Sequence, residues 1–409
     1  MVTNNKLDKN GVLQIDSVNS QFDEVNISPI SGGLAQRISP TSYQVAGYFD
    51  EVTSTGVTSR LTKFGVLQVA GYFDEFNLNA APSVSGYATG GTIVDITGYK
   101  VHIFNSSGTF ATTSSWPSGR TIEYLVVAGG GGGYDGGGGA GGLLSASGIT
   151  TAASTNYAVT VGGGGSTGAN GGNSSLIGGS ISVTSTGGGA AGDNAGAPDG
   201  ASGGSGGGGG YGSYLGAGGA GIPGQGNDGS GAAGDYKHPN SGNGGGAGGT
   251  DTGYGAPGLV SNMLSFYSPS TITMPSYGFA WDNYTLSVDA GLPFQTDASI
   301  YLENSSDSTK KMFGRVISYS GTTLVCRLDR LDGDGTTPTL SGWNIKFDHA
   351  GGGRGYLSGG YSPPLIGGGG GVLGYGTYDY GGAPNSGGGG QYYINNGGSG
   401  VVMIKYAYP

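Results

Sequence analysis

Apolar residues along this chain fall in short runs and two-residue alternations, and no stretch sustains a helical period. Leu125-Val126-Val127 and Val401 to Ile404 are continuous apolar runs that predict buried strands. TIVDITGYKVHIFNSSGTF predicts two strands joined by a glycine turn, and Trp116-Pro117-Ser118-Gly119 marks a turn before a strand at Ile122. LLSASGI, NYAVTVGGGG, NSSLIGG and ISVTSTGGG follow as short β elements interleaved with glycine tracts. Between residues 259 and 350 glycine falls to ordinary levels. The segments YTLSVDAG, ASIYLEN, FGRVISYSG, TTLVCRLDRL and GWNIKFD recur there at roughly ten-residue spacing, the signature of a small all-β domain.

Residues 1–90 carry an imperfect repeat. Phe-Asp-Glu occurs at Phe22-Asp23-Glu24, Phe49-Asp50-Glu51 and Phe73-Asp74-Glu75, and two copies extend to VAGYFDEV and VAGYFDEF. Strand-like leads such as GVLQID and GVLQVA precede them, so one hairpin-like unit per repeat is expected. Units this small stack on neighbours or on other chains. Four regions follow: 1–90 as an attachment region, 91–258 as a glycine-rich domain, 259–350 as an inserted β-domain, and 351–409 as the closing part of the glycine-rich domain.

Glycine supplies 95 of the 409 residues, concentrated between Gly129 and Gly390. A flexible linker would waste Leu143, Leu144, Val159, Val161, Leu176, Ile177 and Ile222, which punctuate the tracts. Collagen needs glycine at every third position and abundant proline, yet proline totals 16. Silk-like alternation is absent. The remaining arrangement is a bundle of extended left-handed helices with three residues per turn. Their outward N–H and C=O groups pair between neighbours wherever glycine removes the Cβ. The expected fold is therefore all-β with a polyglycine II-like helical sandwich and almost no α-helix.

The formal charge is -10 and only 10% of residues are charged, which disfavours nucleic acid and anionic membrane as partners. Cys326 is the single cysteine and sits in a strand-like run, where a small buried hydrophobe is expected. The polar N-terminus lacks the apolar segment of a secretory signal, and no apolar run approaches the ~20 residues that span a bilayer.

The segments KVHIFNSSGTF (Lys100–Phe110), EYLVVAGGGGG (Glu123–Gly133), GGGGAGGLL (Gly136–Leu144), YAVTVGGGG (Tyr157–Gly165), GGNSSLIG (Gly171–Gly178), IPGQGNDGSG (Ile222–Gly231) and GGSGVVMIKY (Gly397–Tyr406) occur in order. In them the sequence resembles the glycine-rich domain at the tips of bacteriophage tail fibres and related adhesins. The inserted stretch is similar to a small β-domain of phage fibre proteins through LSVDAGLPF, GRVISYSGTTL and GWNIKF. The resemblance implies a sandwich of polyglycine helices whose distal loops bind the host surface. The insertion departs from that pattern and can crown the tip, displacing the loops as the contact surface.

The candidate chemistry is recognition, not catalysis. VVAGGGGGYDGG lacks the helix that a dinucleotide fingerprint needs, and no glycine block ends in Lys-Ser or Lys-Thr. His102, His238 and His349 are scattered, with neither triad order nor metal spacing. Asp329, Asp332 and Asp334 depart from calcium-loop spacing and favour a turn over a cation site. No catalytic residue, cofactor or metal is expected. Among 26 tyrosines, many sit beside Gly, Ser, Asn or Asp. There they present a ring face for stacking on sugar and a hydroxyl for polar contact, or they serve as spacers and inter-helix packing. The candidate receptor-binding residues are Tyr211, Tyr214, Tyr236, Lys237, His238, Tyr375, Tyr378, Asp379 and Tyr380. The expected protein is a virion tail fibre adhesin, assembled in the host cytoplasm and simplest as a homotrimer. It would attach to other tail or baseplate proteins through residues 1–90 and bind a host-surface polysaccharide or outer-membrane protein. A structural connector or decoration protein of the virion is the alternative.

Overall fold

The strand-forming runs and glycine tracts segregate in space as they do in sequence. The computed structural model describes residues 87–194, 196, 198–212, 214–233, 241–248, 258–274, 283–330, 338–353, 382–391 and 396–408. It also describes the backbone of seven strands within residues 24–79. Two compact units result, Met1–Tyr87 and Ala88–Pro409.

In the first unit the strands are β1 (Glu24–Ile27), β2 (Leu34–Ser39), β3 (Ser42–Ala46), β4 (Glu51–Thr53), β5 (Thr58–Leu61), β6 (Val66–Ala70) and β7 (Glu75–Asn79). Hairpins β2–β3 and β5–β6 join through β3–β6 into one antiparallel sheet. The other sheet has the order β1-β7-β4, and each of its strands begins at the Glu of a Phe-Asp-Glu triplet. The strands that follow the triplets thus pair between repeats, not within one.

The second unit begins with β8 (Ala88–Thr89), β9 (Thr92–Ile96), β10 (Tyr99–Phe104), β11 (Gly108–Thr112), β12 (Thr121–Val127), β13 (Leu143–Thr150), β14 (Asn156–Thr160), β15 (Ser174–Gly178) and β16 (Ile181–Ser185). The insert supplies β17 (Leu259–Thr273), β18 (Asn283–Ser287), β19 (Ser299–Asn304), β20 (Lys311–Ser320), β21 (Thr323–Arg330) and β22 (Thr339–His349), and β23 (Val401–Ala407) closes the chain. One sheet has the order β13-β12-β23-β10-β9 and a second β16-β15-β14-β11-β8. Between them lies an aromatic core. His102 meets Phe110 edge-on at 5.0 Å and Trp116 meets Tyr406 at 4.9 Å. The His102 ring nitrogens face the Gly90 carbonyl at 2.7 Å and the Tyr406 hydroxyl at 3.3 Å. The imidazole is a satisfied core group whose burial lowers its pKa.

The two sheets differ in their outer faces. β14 alternates buried and exposed, so its outer face meets solvent. β12 and β23 are buried on both faces, which accounts for their continuous apolar runs. The covering layer is the insert, a six-stranded sheet of order β17-β22-β19-β20-β21-β18. It curls until its edge strands meet, where the Ser287 N–H donates to Ser270 Oγ at 2.7 Å. Its core of Leu264, Leu286, Ile300, Leu302, Met312, Leu324 and Trp343 continues into Val101, Ile103, Leu125, Val401 and Met403 of the first sheet. Cys326 is buried in this core, and burial pushes its thiol up to about 12. The insertion therefore does not crown the loop end; the residues that hold it lie on the sheet. Asp329 is the penultimate residue of β21, and Asp332 and Asp334 lie outside the described residues.

Beyond the strands the glycine tracts continue as extended segments whose hydrogen bonds repeat every three residues. From segment 136–142, the N–H groups of Gly136, Gly139 and Gly142 donate to the carbonyls of Gly192, Gly189 and Thr186 at 2.8–3.2 Å. Gly137 and Ala140 donate to Gly242 and Gly245, and Gly138 and Gly141 to Gly390 and Gly387. Three successive residues thus address three different neighbours, which is the geometry of a helix with three residues per turn. Segment 128–133 behaves alike: Ala128 and Gly131 donate to Gly142 and Gly139, while Gly129 and Gly132 donate to Gly172 and Ala169. The expected polyglycine II-like sandwich is present, and every regular element among the described residues is a strand or such a segment.

Glycine is required by close approach. A Cβ on Gly131 would lie 2.1 Å from the Gly189 carbonyl oxygen, far inside contact distance, whereas one on exposed Gly163 would meet nothing within 4 Å. Gly131→Ala should destabilise by about 2 kcal/mol or more through overpacking. Gly163→Ala should be neutral or stabilising by up to ~1 kcal/mol through the unfolded state. Thermal and denaturant unfolding of the two variants checks the contrast.

Candidate functional site

A glycine helix has no side chains, so any chemistry in this bundle must sit where the tracts are interrupted. Segment 128–133 leaves β12 and segment 136–142 returns to β13, with Tyr134 and Asp135 at the turn between them. At ~3.1 Å per residue this turn stands roughly 20 Å beyond the strand ends. Segments 161–165 and 169–173 likewise leave β14 and return to β15, with a turn at 166–168. Asp193 and Asn194 begin the turn after segment 187–192, and Tyr211, Gly212, Tyr214 and Leu215 lie in the turn after segment 206–210. The opposite, sheet-side turns carry Ser205, residues 222–225 and residues 384–386.

The far-end turns are neighbours. The Gly136 N–H donates to the Gly192 carbonyl at 3.2 Å, and Gly192 donates to Gly208 at 2.9 Å. A Cβ on Gly212 would approach the Asn194 carbonyl oxygen to 2.4 Å. Tyr134, Asp135, Asp193, Asn194, Tyr211 and Tyr214 therefore share one end of the bundle. Tyr211 and Leu215 form an antiparallel bridge, and the Gly212 N–H donates to the Tyr214 carbonyl at 3.3 Å. This tight turn pushes Tyr214 outward to 79% exposure and Leu215 to 54%. Tyr134 is exposed as well, and Tyr211 is half-buried.

Of the sequence-predicted residues, Tyr211 and Tyr214 are thus brought together on one turn. Tyr236, Lys237, His238, Tyr375, Tyr378, Asp379 and Tyr380 lie outside the described residues. Ala232 and Gly242, which flank residues 236–238, donate to Gly216 and Gly209 at the same far end.

The carboxylates here have separate tasks. Asp193 Oδ1 accepts from the Gly196 N–H at 2.8 Å and closes its own turn, whereas Asp199 Oδ1 accepts from the Ala217 N–H at 2.7 Å and ties two segments together. Asp135 Oδ2 is buried with no hydrogen-bond partner. Burial, and secondarily the charge of Asp193, raise the Asp135 pKa. Tyrosine hydroxyls and ring faces together with these carboxylates can accept hydroxyl or amine donors and stack on an apolar ring face. Sequence reasoning did not single out Asp135, Asp193 or Asn194. The signal for them is position, since Asp135 and Asp193 directly border a glycine tract and Asn194 is one residue further on.

A raised carboxyl pKa means the folded state prefers the protonated form. That contribution is present below the ordinary value of 3.8 and is lost as pH rises through the folded value. Asp135→Asn should therefore raise the melting temperature at pH 7 and leave it unchanged at pH 3. Asp193→Asn should lower the Asp135 pKa, as read by carboxyl carbon NMR.

No curated protein and no solved structure matches the chain. Residues 105–268, which run from the end of β10 through the first part of the bundle into β17, match the family model described as a glycine-rich domain.

Proposed function

We propose that this chain is a virion fibre protein of a bacteriophage that binds a host-surface polysaccharide or outer-membrane protein through the far-end turns of its glycine bundle. The observation that carries this reading is the outward Tyr214, on a bridged turn with Tyr211 at the end of the bundle that also carries Tyr134, Asp135 and Asn194. A large aromatic residue that is 79% exposed contributes nothing to the core. It is suited instead to a partner that covers it. Residues 1–87 fold as their own unit of short repeated strands, which suits attachment to tail or baseplate proteins. A fibre of this kind assembles from several copies, most simply three, and weak contacts repeated across a particle combine into high avidity. The function is binding, with no bond made or broken.

Localisation on the virion by electron microscopy separates this reading from a connector role. A distal tail position supports it, and a position buried within the capsid or tail tube removes it. Tyr214→Ala, with the fold unchanged by circular dichroism, should weaken each contact roughly three- to tenfold, the range expected of one stacked aromatic. Host adsorption kinetics of phage carrying the variant provide the measurement.

A further inference from the structure

The insert joins the glycine-rich body where both of its chain crossings meet. Leu259 at the start of β17 pairs with His349 at the end of β22. The next residue, Ala350, donates its N–H to the Ser386 carbonyl at 2.7 Å and accepts from the Ala247 N–H at 2.9 Å. His349 is thus the last residue of the insert before the hinge. Its side chain is fully buried, and neither ring nitrogen has a hydrogen-bond partner.

The imidazole lines a small cleft of about 30 Å³ between the two parts. Ile103, Val401 and Met403 of the first sheet form one wall, and Phe347 and Ala298 of the insert form the other. At the mouth, Asn385 Nδ2 donates to Gln295 Oε1 at 2.7 Å, clasping the turn at 384–386 to the insert. Among the described residues that line this cleft, Asp348 of β22 is the one that carries a charged side chain beside His349.

Buried neutral, the ring leaves one N–H donor and one acceptor nitrogen unpaired, which already weakens the docked state. Charged, it would be an imidazolium held among Ile103, Phe347, Val401 and Met403, and desolvation makes that costly. Leaving the cleft restores its water. We propose that His349 is an acid-sensitive latch, whose protonation releases the insert from the outer face of the first sheet and bares Ile103, Val401 and Met403.

Burial is the main influence on this ring and the nearby Asn385 backbone, which favours the charged form, is a lesser one; together they bring its pKa down from 6.5 to about 4. A lowered histidine pKa contributes docking stability that is full above 6.5 and is lost as pH falls toward 4. If the undocked ring titrates at its ordinary value, the docking equilibrium weakens on the order of 100-fold by pH 4.

Binding of an apolar fluorescent dye to the full chain, followed from pH 7.5 to 3, tests the latch. Three proteins are compared: the unaltered chain, His349→Gln, and a Gln295→Cys/Asn385→Cys pair joined by a short thiol cross-linker to lock the clasp. Dye binding by the unaltered chain should rise between pH 6 and 4. His349→Gln should shift that rise downward by about one pH unit or more, and the locked protein should suppress it. The same midpoint in His349→Gln, or an undiminished rise in the locked protein, overturns the latch, as does the absence of any rise above pH 3. Should His349→Gln fail to fold, the locked protein and an imidazole NMR titration of the unaltered chain decide. A ring that titrates near 6.5 with no gain in dye binding rejects the proposal.

Discussion

The hydrogen bond between neighbouring glycine helices is the constraint from which the rest of this structure follows. A helix with three residues per turn satisfies none of its own N–H or C=O groups, so every residue must find a partner on another segment. Segment 136–142 does so with three different neighbours, at residues 186–192, 242–245 and 387–390. Such contacts form only if backbones approach to hydrogen-bonding distance on all sides. A Cβ on Gly130 would stand 2.0 Å from the Gly388 oxygen, and one on Gly138 would stand 2.1 Å from that of Gly131. Glycine's conformational cost of ~0.5–1 kcal/mol per residue is offset by bonds worth about 1 kcal/mol each.

The edges of the bundle show the same rule from the other side. Where no further helix supplies carbonyls, side chains do: Asn170 and Asn173, three residues apart, accept from the N–H groups of Ala190 and Gly187 at 2.8 and 2.9 Å. On the outer face of segment 216–220 alanine takes the place of glycine. Ala217 and Ala220, again three apart, are both exposed, and their methyl groups occupy the space that another closely packed helix would need. The lattice is therefore finite.

A body built this way has little side-chain chemistry and no hydrophobic core of its own. The apolar core is instead in the strands, between the two sheets and between the first sheet and the insert. Function is pushed to the turns, and the two ends of the bundle are not equivalent. Sheet-side turns such as 384–386 are engaged by the insert, whereas the far-end turns carry Tyr134, Asp135 and Tyr214 into solvent or half-burial. The insert, in turn, answers a need of the first sheet. Val101, Ile103, Val401 and Met403 would otherwise form an uncovered apolar face.

Much of this was readable from local pattern. The runs Leu125-Val126-Val127 and Val401 to Ile404 announced strands buried on both faces, and the turn-spaced alternation over 259–350 announced further short strands, which gather into the six-stranded sheet. Apolar punctuation of the glycine tracts argued for a folded bundle, since period and composition are local properties. The partnering of strands and turns is not local. Tandem Phe-Asp-Glu copies implied hairpins, yet the strands that follow them pair between copies. Glycine interruptions look alike in sequence whether they turn at the sheet or at the far end. Ile222-Pro223 and Tyr214-Leu215 are told apart only by the direction in which each segment runs. Likewise His349 read as one scattered histidine until the fold closed Ile103, Phe347 and Met403 around it. Sequence by itself determined the material, strands and glycine helices, because backbone sterics and periodicity are written residue by residue. Only the tertiary structure decided which turns reach solvent and which face the insert covers, because those depend on contacts between residues hundreds of positions apart.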